Sequence, residues 1–267
     1  MIGAVTTKQR RQRYLAACRG KPFFGCLLPV QLRLFGKSGG CFFAGPTLAV
    51  DANGERAVAA GHANPEELAA FLALTGRHWL LTDGPAPAGW RVGGTLHLFG
   101  LEPGSQLPLP PLPAGFVLNE QPRLGPVADL LMAAEPARRD SLYAELCVKR
   151  NHGMGMVWTL ERADAPGQPV CTVSAAALYG AEAYMACGET AAVLRGQGLG
   201  GHLIVRMANN LAAGHRRVTF LCREERMRFY TRLGFERLGT LAEYTDLPAV
   251  APHHQYEKEE PNVTAIF

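Results

Sequence analysis

The chain has 267 residues, 48% hydrophobic and 19% charged, with 27 Lys and Arg against 23 Asp and Glu for a formal net charge of +4. That balance builds a buried core: no apolar run approaches the roughly 18–20 residues of a membrane span, no export signal follows the basic N-terminus, and so small an excess of cations argues against a nucleic-acid partner. Seven cysteines, an odd number without a Cys-x-x-Cys pair, fit reduced core thiols in a cytoplasmic, metal-free protein rather than a disulfide frame.

At this length two lobes are expected, and residues 1–104 read as the smaller, an α/β lobe. Lys8, Arg10, Arg11, Arg13, Arg19 and Lys21 share a short helix with Tyr14 and Leu15. A solvated helix face suits them, and attraction of nucleic-acid phosphates is the rival reading. Cys41 to Val50 and Glu55 to Ala60 read as a hairpin around Asp51-Ala52-Asn53-Gly54. Asn64-Pro65-Glu66-Glu67 then starts a helix, with a capping side chain, a first-turn proline and two acids facing the helix dipole. That helix is expected to run to Thr75 and stop at Gly76, and His78–Thr82 and Val92–Leu101 read as further strands. The lobe has no glycine-rich nucleotide loop. Residues 105–113, Ser-Gln-Leu-Pro-Leu-Pro-Pro-Leu-Pro, cannot lie inside a helix or a central strand and read as a short, stiff linker.

The second lobe, 114–247, begins with a strand, Phe116 to Asn119. Helices follow at Leu124–Glu135 and Asp140–Asn151, then strands at Met156–Arg162 and Val170–Tyr179 across the turn Ala163-Asp164-Ala165-Pro166-Gly167. Glu182 to Ala192 reads as another strand. It feeds Arg195-Gly196-Gln197-Gly198-Leu199-Gly200-Gly201, and Leu199, Leu203, Ile204, Met207 and Leu211 then recur at helical spacing. Gly214 is placed for a left-handed helix stop. Arg217–Cys222 is a β-branched, apolar strand, Glu225–Leu233 a short helix closed by Gly234, and Glu236–Thr245 a final strand. Residues 248–267 form a tail.

The glycines let the backbone curl and bring peptide N–H groups to a ligand without Cβ atoms in the way. A helix starting there adds its own unpaired amides and positive dipole end, a combination that suits a diphosphate. Gly196-x-Gly198-x-x-Gly201 formally meets the dinucleotide fingerprint, but that fingerprint also needs an acid about 20 residues on. Position 221 is a leucine, and Glu224 and Glu225 open the next helix.

Arg195-x-x-Gly198-x-Gly200 is similar instead to the (Gln/Arg)-x-x-Gly-x-(Gly/Ala) signature of the GNAT superfamily of acyl-CoA N-acyltransferases. Phe229-Tyr230-Thr231-Arg232-Leu233-Gly234-Phe235 resembles that superfamily's second hallmark, and the element order β-α-α-β-β-β-α-β-α-β matches over 114–247. Ala192 stands where a proline is frequent. The resemblance implies an α/β (α+β) fold with a mixed central sheet flanked by helices, and acetyl-CoA as co-substrate. It also implies a cofactor site at Thr190, Ala192, Arg195, Gly196, Gln197, Gly198, Leu199, Gly200 and Gly201, and a strand, Ala186–Ala192, that splays from its neighbour to take the pantetheine arm. Tyr230 corresponds to the tyrosine that protonates the leaving thiolate. Glu189 and Glu182 are the candidate bases, with opposite parity on one strand, so that at most one faces the acceptor.

The implied reaction is acetyl transfer to a primary amine, with a small-molecule acceptor favoured and its identity open. A non-catalytic acyl-CoA sensor or scaffold is the alternative. The first lobe is expected to wall the acceptor cleft without binding a nucleotide. His152 reads as a solvated loop residue, Cys187 as a buried thiol, His253-His254 as no metal site, and the sequon at Asn262 as chance.

Overall fold

The computed structural model describes residues 1–37 and 40–247, so the 248–267 tail, His253-His254 and Asn262 lie outside the described residues. Among the described residues the backbone separates into two compact units, Met1–His97 with 240–247, and Leu98–Gly239.

The first unit opens with β1 (Gly3–Ala4), α1 (Lys8–Cys18) and α2 (Phe24–Phe35), followed by β2 (Phe42–Ala44), β3 (Thr47–Asp51) and β4 (Arg56–His62). Then come α3 (Pro65–Leu74), β5 (Trp79–Thr82) and the start of β6 (Arg91–Leu101). Its strands lie in the order β1-β2-β3-β4-β5, with β12 (Glu236–Thr245) beside β5. The expected strand Cys41–Val50 is two strands, because Gly45 and Pro46 break it into a turn and proline offers no N–H to a ladder. The helix α2 escaped the periodicity: it is apolar almost throughout and carries Pro29 inside it, so its pattern has no polar face to mark it. The start of α3 follows the sequence closely, with the Asn64 side chain accepting from the Glu67 N–H at 3.0 Å and Pro65 in the first turn.

The second unit runs β7 (Phe116–Asn119), α4 (Leu124–Leu131), α5 (Arg139–Asn151), β8 (Met156–Arg162), β9 (Ala165–Tyr179) and β10 (Glu182–Thr190). It continues with α6 (Leu199–Ala213), β11 (Arg217–Cys222) and α7 (Met227–Arg232). Its strand order is β6-β11-β10-β9-β8-β7. Leu203, Met207 and Leu211 of α6 share one core with Val173, Met185, Val218 and Phe220. The helix stop differs from expectation: Gly214 has φ −76°, and the left-handed residue is His215 at φ 58°.

The two units repeat one plan. Each runs β-α-α-β-β-β-α-β, and in each the fourth and fifth strands are parallel, β4 with β5 and β10 with β11, joined through a helix. Each repeat's last strand completes the other unit. From Leu98 onward β6 belongs to the second unit, beside β11, while β12 pairs antiparallel with β5 from Ala242↔Thr82 to Thr245↔Trp79.

The division therefore does not fall at the proline segment. That segment lies within the second unit, strapped along α6: Asn209 bonds both the N–H and the carbonyl of Leu107 at 2.8 Å, and His202 Nδ1 donates to the Pro110 carbonyl at 2.7 Å. Leu107 is buried in the unit's core. The Leu107 N–H and carbonyl and the Pro110 carbonyl, which pair with no strand, are satisfied here by side chains of the helix.

Candidate functional site

The strands β10 and β11 pair in parallel only from Glu182↔Arg217 to Tyr184↔Thr219, although both run on, to Thr190 and Cys222. Beyond that point they part. On its other edge β10 carries a bulge: Ala186 pairs with Ser174 and Glu189 with Thr172, so Cys187 and Gly188 together face the single residue Val173. Cys187 has φ 55°. A bulge bends its strand and re-aims its side chains, and here it turns β10 away from β11.

The parting opens a crevice of about 20 Å³. Met185, Ala186 and Gly188 of β10 line one side and Phe220 and Leu221 of β11 the other, with Val173, Ile204 and Tyr230 completing the lining. Tyr230 is half-buried, with its ring 4.4 Å from that of Phe220.

At the far end of β10 the chain makes one tight turn, Ala192–Leu194, and enters the glycine loop. Gly196 (φ 80°) and Gly198 (φ 84°) are left-handed, and a Cβ at either would meet nothing within 4 Å. Neither glycine is demanded by crowding. Each is demanded by its backbone angle and leaves open space beside the peptide groups. The first bond of the helix ladder runs from the His202 N–H to the Gly198 carbonyl, so the amides of Leu199, Gly200 and Gly201 precede it. No side chain caps α6 and no acid stands in its first turn. Leu199 itself is buried, so only its backbone can serve a ligand, and Gly201 packs near Leu233.

The equivalent place in the first unit is filled. There Asn64 caps α3, and Glu66 and Glu67 occupy its first turn. The strands stay tied past their ladder: Asp83 accepts from the Gly61 N–H at 2.8 Å and pairs with Lys21, and a side chain at Gly84 would collide with the Gly61 carbonyl.

Both candidate carboxylates are held by arginines. Glu189 is 8% exposed and accepts from Arg195 Nη2 at 3.1 Å and from the Thr190 N–H at 2.9 Å, while Arg195 Nε donates to the Thr190 carbonyl. It thus ties the loop to the end of β10. Glu182 pairs with Arg217 at 2.6 Å, at the opposite end of the strand. The parity argument linking the two glutamates does not hold, because the bulge at Cys187 and Gly188 puts one extra residue into β10 between them.

His152 ends α5 with Nδ1 donating to the Val148 carbonyl at 2.9 Å. Burial pushes the Cys187 thiol up to about 11, so it stays protonated near neutrality and is a poor nucleophile. Among the described residues no group of three or more His, Cys, Asp and Glu is gathered as a metal would need, and no helix is long and apolar enough to cross a membrane.

No family model matches the sequence, and no curated protein matches it. Solved structures are similar in fold. A tandem GNAT protein from the clavulanic acid biosynthesis pathway, solved without acetyl-CoA, aligns over 94% of this chain and 99% of its own at TM-score 0.60 and 18% identity. A GCN5-related N-acetyltransferase from Kribbella flavida aligns over 83% and 95% at TM-score 0.59 and 19% identity. A GCN5-related N-acetyltransferase-like protein from Streptococcus suis aligns over 88% and 97% at TM-score 0.56 and 15% identity. The chain has the GNAT fold, and the tandem neighbour accords with the repeat described above.

Proposed function

We propose that this protein transfers a short acyl group, acetyl above all, from acyl-CoA to a primary amine, using one site in its second unit. The observation that carries this reading is the parting of β10 from β11 between an open, uncapped helix start and Tyr230. In the first unit the same two features are tied shut and filled by acids. One acyl-CoA per chain is the stoichiometry this reading requires.

The diphosphate would sit on the amides of Gly196 to Gly201, where the helix dipole and unpaired N–H groups favour negative charge. Backbone groups of β10 that no longer pair with β11 would bind the pantetheine arm, and one N–H at the bulge would polarise the thioester carbonyl. The amine nitrogen then bonds to the carbonyl carbon and the carbon–sulfur bond breaks. Tyr230 gives its proton to the departing sulfur. With Glu182 and Glu189 both engaged by arginines, the amine's proton leaves through water, and Glu189 acts by holding Arg195 and the loop.

The test is calorimetry with CoA followed by thiol release from acetyl-CoA across a panel of small primary amines. Binding of one CoA per chain and release with at least one amine are expected. Tight NAD binding without CoA binding would overturn the reading, and CoA binding without release for any amine would favour a sensor.

A further inference from the structure

Tyr230 sits on a weak mount. Its helix α7 has six residues, none of them buried, and follows a single 3-10 turn. So short a helix cannot fix a side chain by its own packing. The ring is held by four phenylalanines instead. Phe220 lies 4.4 Å away at 49°, Phe229 at 5.1 Å and 70°, Phe99 at 5.9 Å and 41°, and Phe235 at 6.3 Å and 77°.

Phe99 differs from the other three. Phe220, Phe229 and Phe235 lie within the sequence segment that carries Tyr230, whereas Phe99 is on β6, the last strand of the first repeat. It is 1% exposed and also stacks on Phe220, 5.8 Å apart and 10° from parallel. It thus touches both the crevice wall and the tyrosine. Its neighbour is tightly enclosed: a side chain at Gly100 would lie 2.9 Å from the Val218 carbonyl and 2.6 Å from Leu238, so β6 packs here with no room for a side chain at position 100. Aromatic pairs at these separations favour tilted and offset geometries, and removing one member frees the others to tilt.

We propose that Phe99 is a positioning residue for the Tyr230 hydroxyl, so that the first repeat contributes to the chemistry of a site built in the second unit. The proposal rests on the reading of Tyr230 as the acid. Proton donation demands hydrogen-bond reach of about 2.6–3.2 Å, and a misplacement on the order of 1 Å costs up to about 10²-fold in rate. A slackened ring seat therefore lowers turnover without touching the loop that binds CoA.

The experiment uses the full chain and hydroxylamine as acceptor, because its amine is already neutral at pH 7 and the step left to the protein is protonation of sulfur. Protein-dependent hydroxamate formation from acetyl-CoA is measured for the wild type, Phe99→Leu, Tyr230→Phe and the double variant, with calorimetric CoA affinity as the control for folding. Phe99→Met, which keeps more of the volume, replaces Phe99→Leu if the latter does not fold. Phe99→Leu is expected to lower kcat about tenfold while the KM for acetyl-CoA and the affinity for CoA stay within about twofold. In the Tyr230→Phe background the same change should matter less than about twofold, because nothing remains to be positioned.

An equal loss in both backgrounds, or an unchanged rate in Phe99→Leu while Tyr230→Phe is impaired, overturns the role of Phe99 alone. Full activity in Tyr230→Phe overturns the tyrosine's role and this proposal together. A wild type that binds CoA without protein-dependent transfer to hydroxylamine or to any amine of the panel overturns the acyltransferase reading beneath both.

Discussion

Gly198 separates backbone strain from ligand space. It is left-handed (φ 84°), and a Cβ there meets no protein atom within 4 Å. Any destabilisation by Gly198→Val therefore comes from the backbone angle, about 1–2 kcal/mol for an L-residue and more for a β-branched one. Against a stability of about 5–15 kcal/mol the variant stays folded. Its loss of binding should be larger. A hydrogen bond to a charged group is worth about 1.5–3 kcal/mol, so displacing even two loop amides from a diphosphate weakens CoA by more than about 100-fold. Gly198→Asn is the decisive partner, since asparagine tolerates the left-handed angle yet still projects its side chain into the space beside the loop. Both variants should keep the wild-type circular dichroism and lose CoA in calorimetry. If Gly198→Asn binds CoA as the wild type does, the open space beside the loop is not where the diphosphate lies.

Further expectations concern the crevice, the repeat and the thiols. Tyr230→Phe should lower turnover about 10²–10⁴-fold with CoA affinity kept; wild-type turnover would leave the tyrosine a packing residue. Ile204→Ala should enlarge a crevice of only about 20 Å³ and raise kcat/KM for butanoyl-CoA relative to acetyl-CoA, by about fourfold for each methylene accommodated; an unchanged ratio places the acyl chain elsewhere. Deleting residues 1–104 removes β6, and the loss of Phe99 alone costs about 3–5 kcal/mol on the scale of buried aromatic truncations. The remainder should be insoluble or unfolded, and a soluble, active fragment would refute the strand exchange. Burial raises the thiols of Cys18 to about 12 and of Cys171 and Cys187 to about 11 from an ordinary 9.0. The folded state thus keeps protons that the unfolded chain gives up. The stabilisation from this source is complete below about pH 9 and lost as pH rises through 11–12, so the melting temperature should fall across that window. A flat profile to pH 11 would contradict the burial of these groups.

The chain's own order determined much of the second repeat. Strands Met156–Arg162, Arg217–Cys222 and Glu236–Thr245 lie where their apolar and β-branched pattern put them. The glycine loop was legible because only glycine accepts the left-handed angles of positions 196 and 198 at no steric cost, and the cap of α3 because asparagine, proline and acids act on the nearest turn. These are local signals, carried by a few adjacent residues.

What tertiary structure alone decided is everything that depends on residues far apart in sequence. The bulge at Cys187 left no mark, since a cysteine gives no sign of a positive φ, and the parity of Glu182 and Glu189 could not be counted across it. The arginines that engage those glutamates, Arg217 and Arg195, are fixed by the ladder and by the turn after β10. Proline spacing suggested a free linker, while Leu107, Asn209 and His202 make it a strap on α6. The exchange of β6 and β12 was invisible for the same reason: a strand's sequence records which faces are buried, and does not record which neighbour supplies its hydrogen bonds.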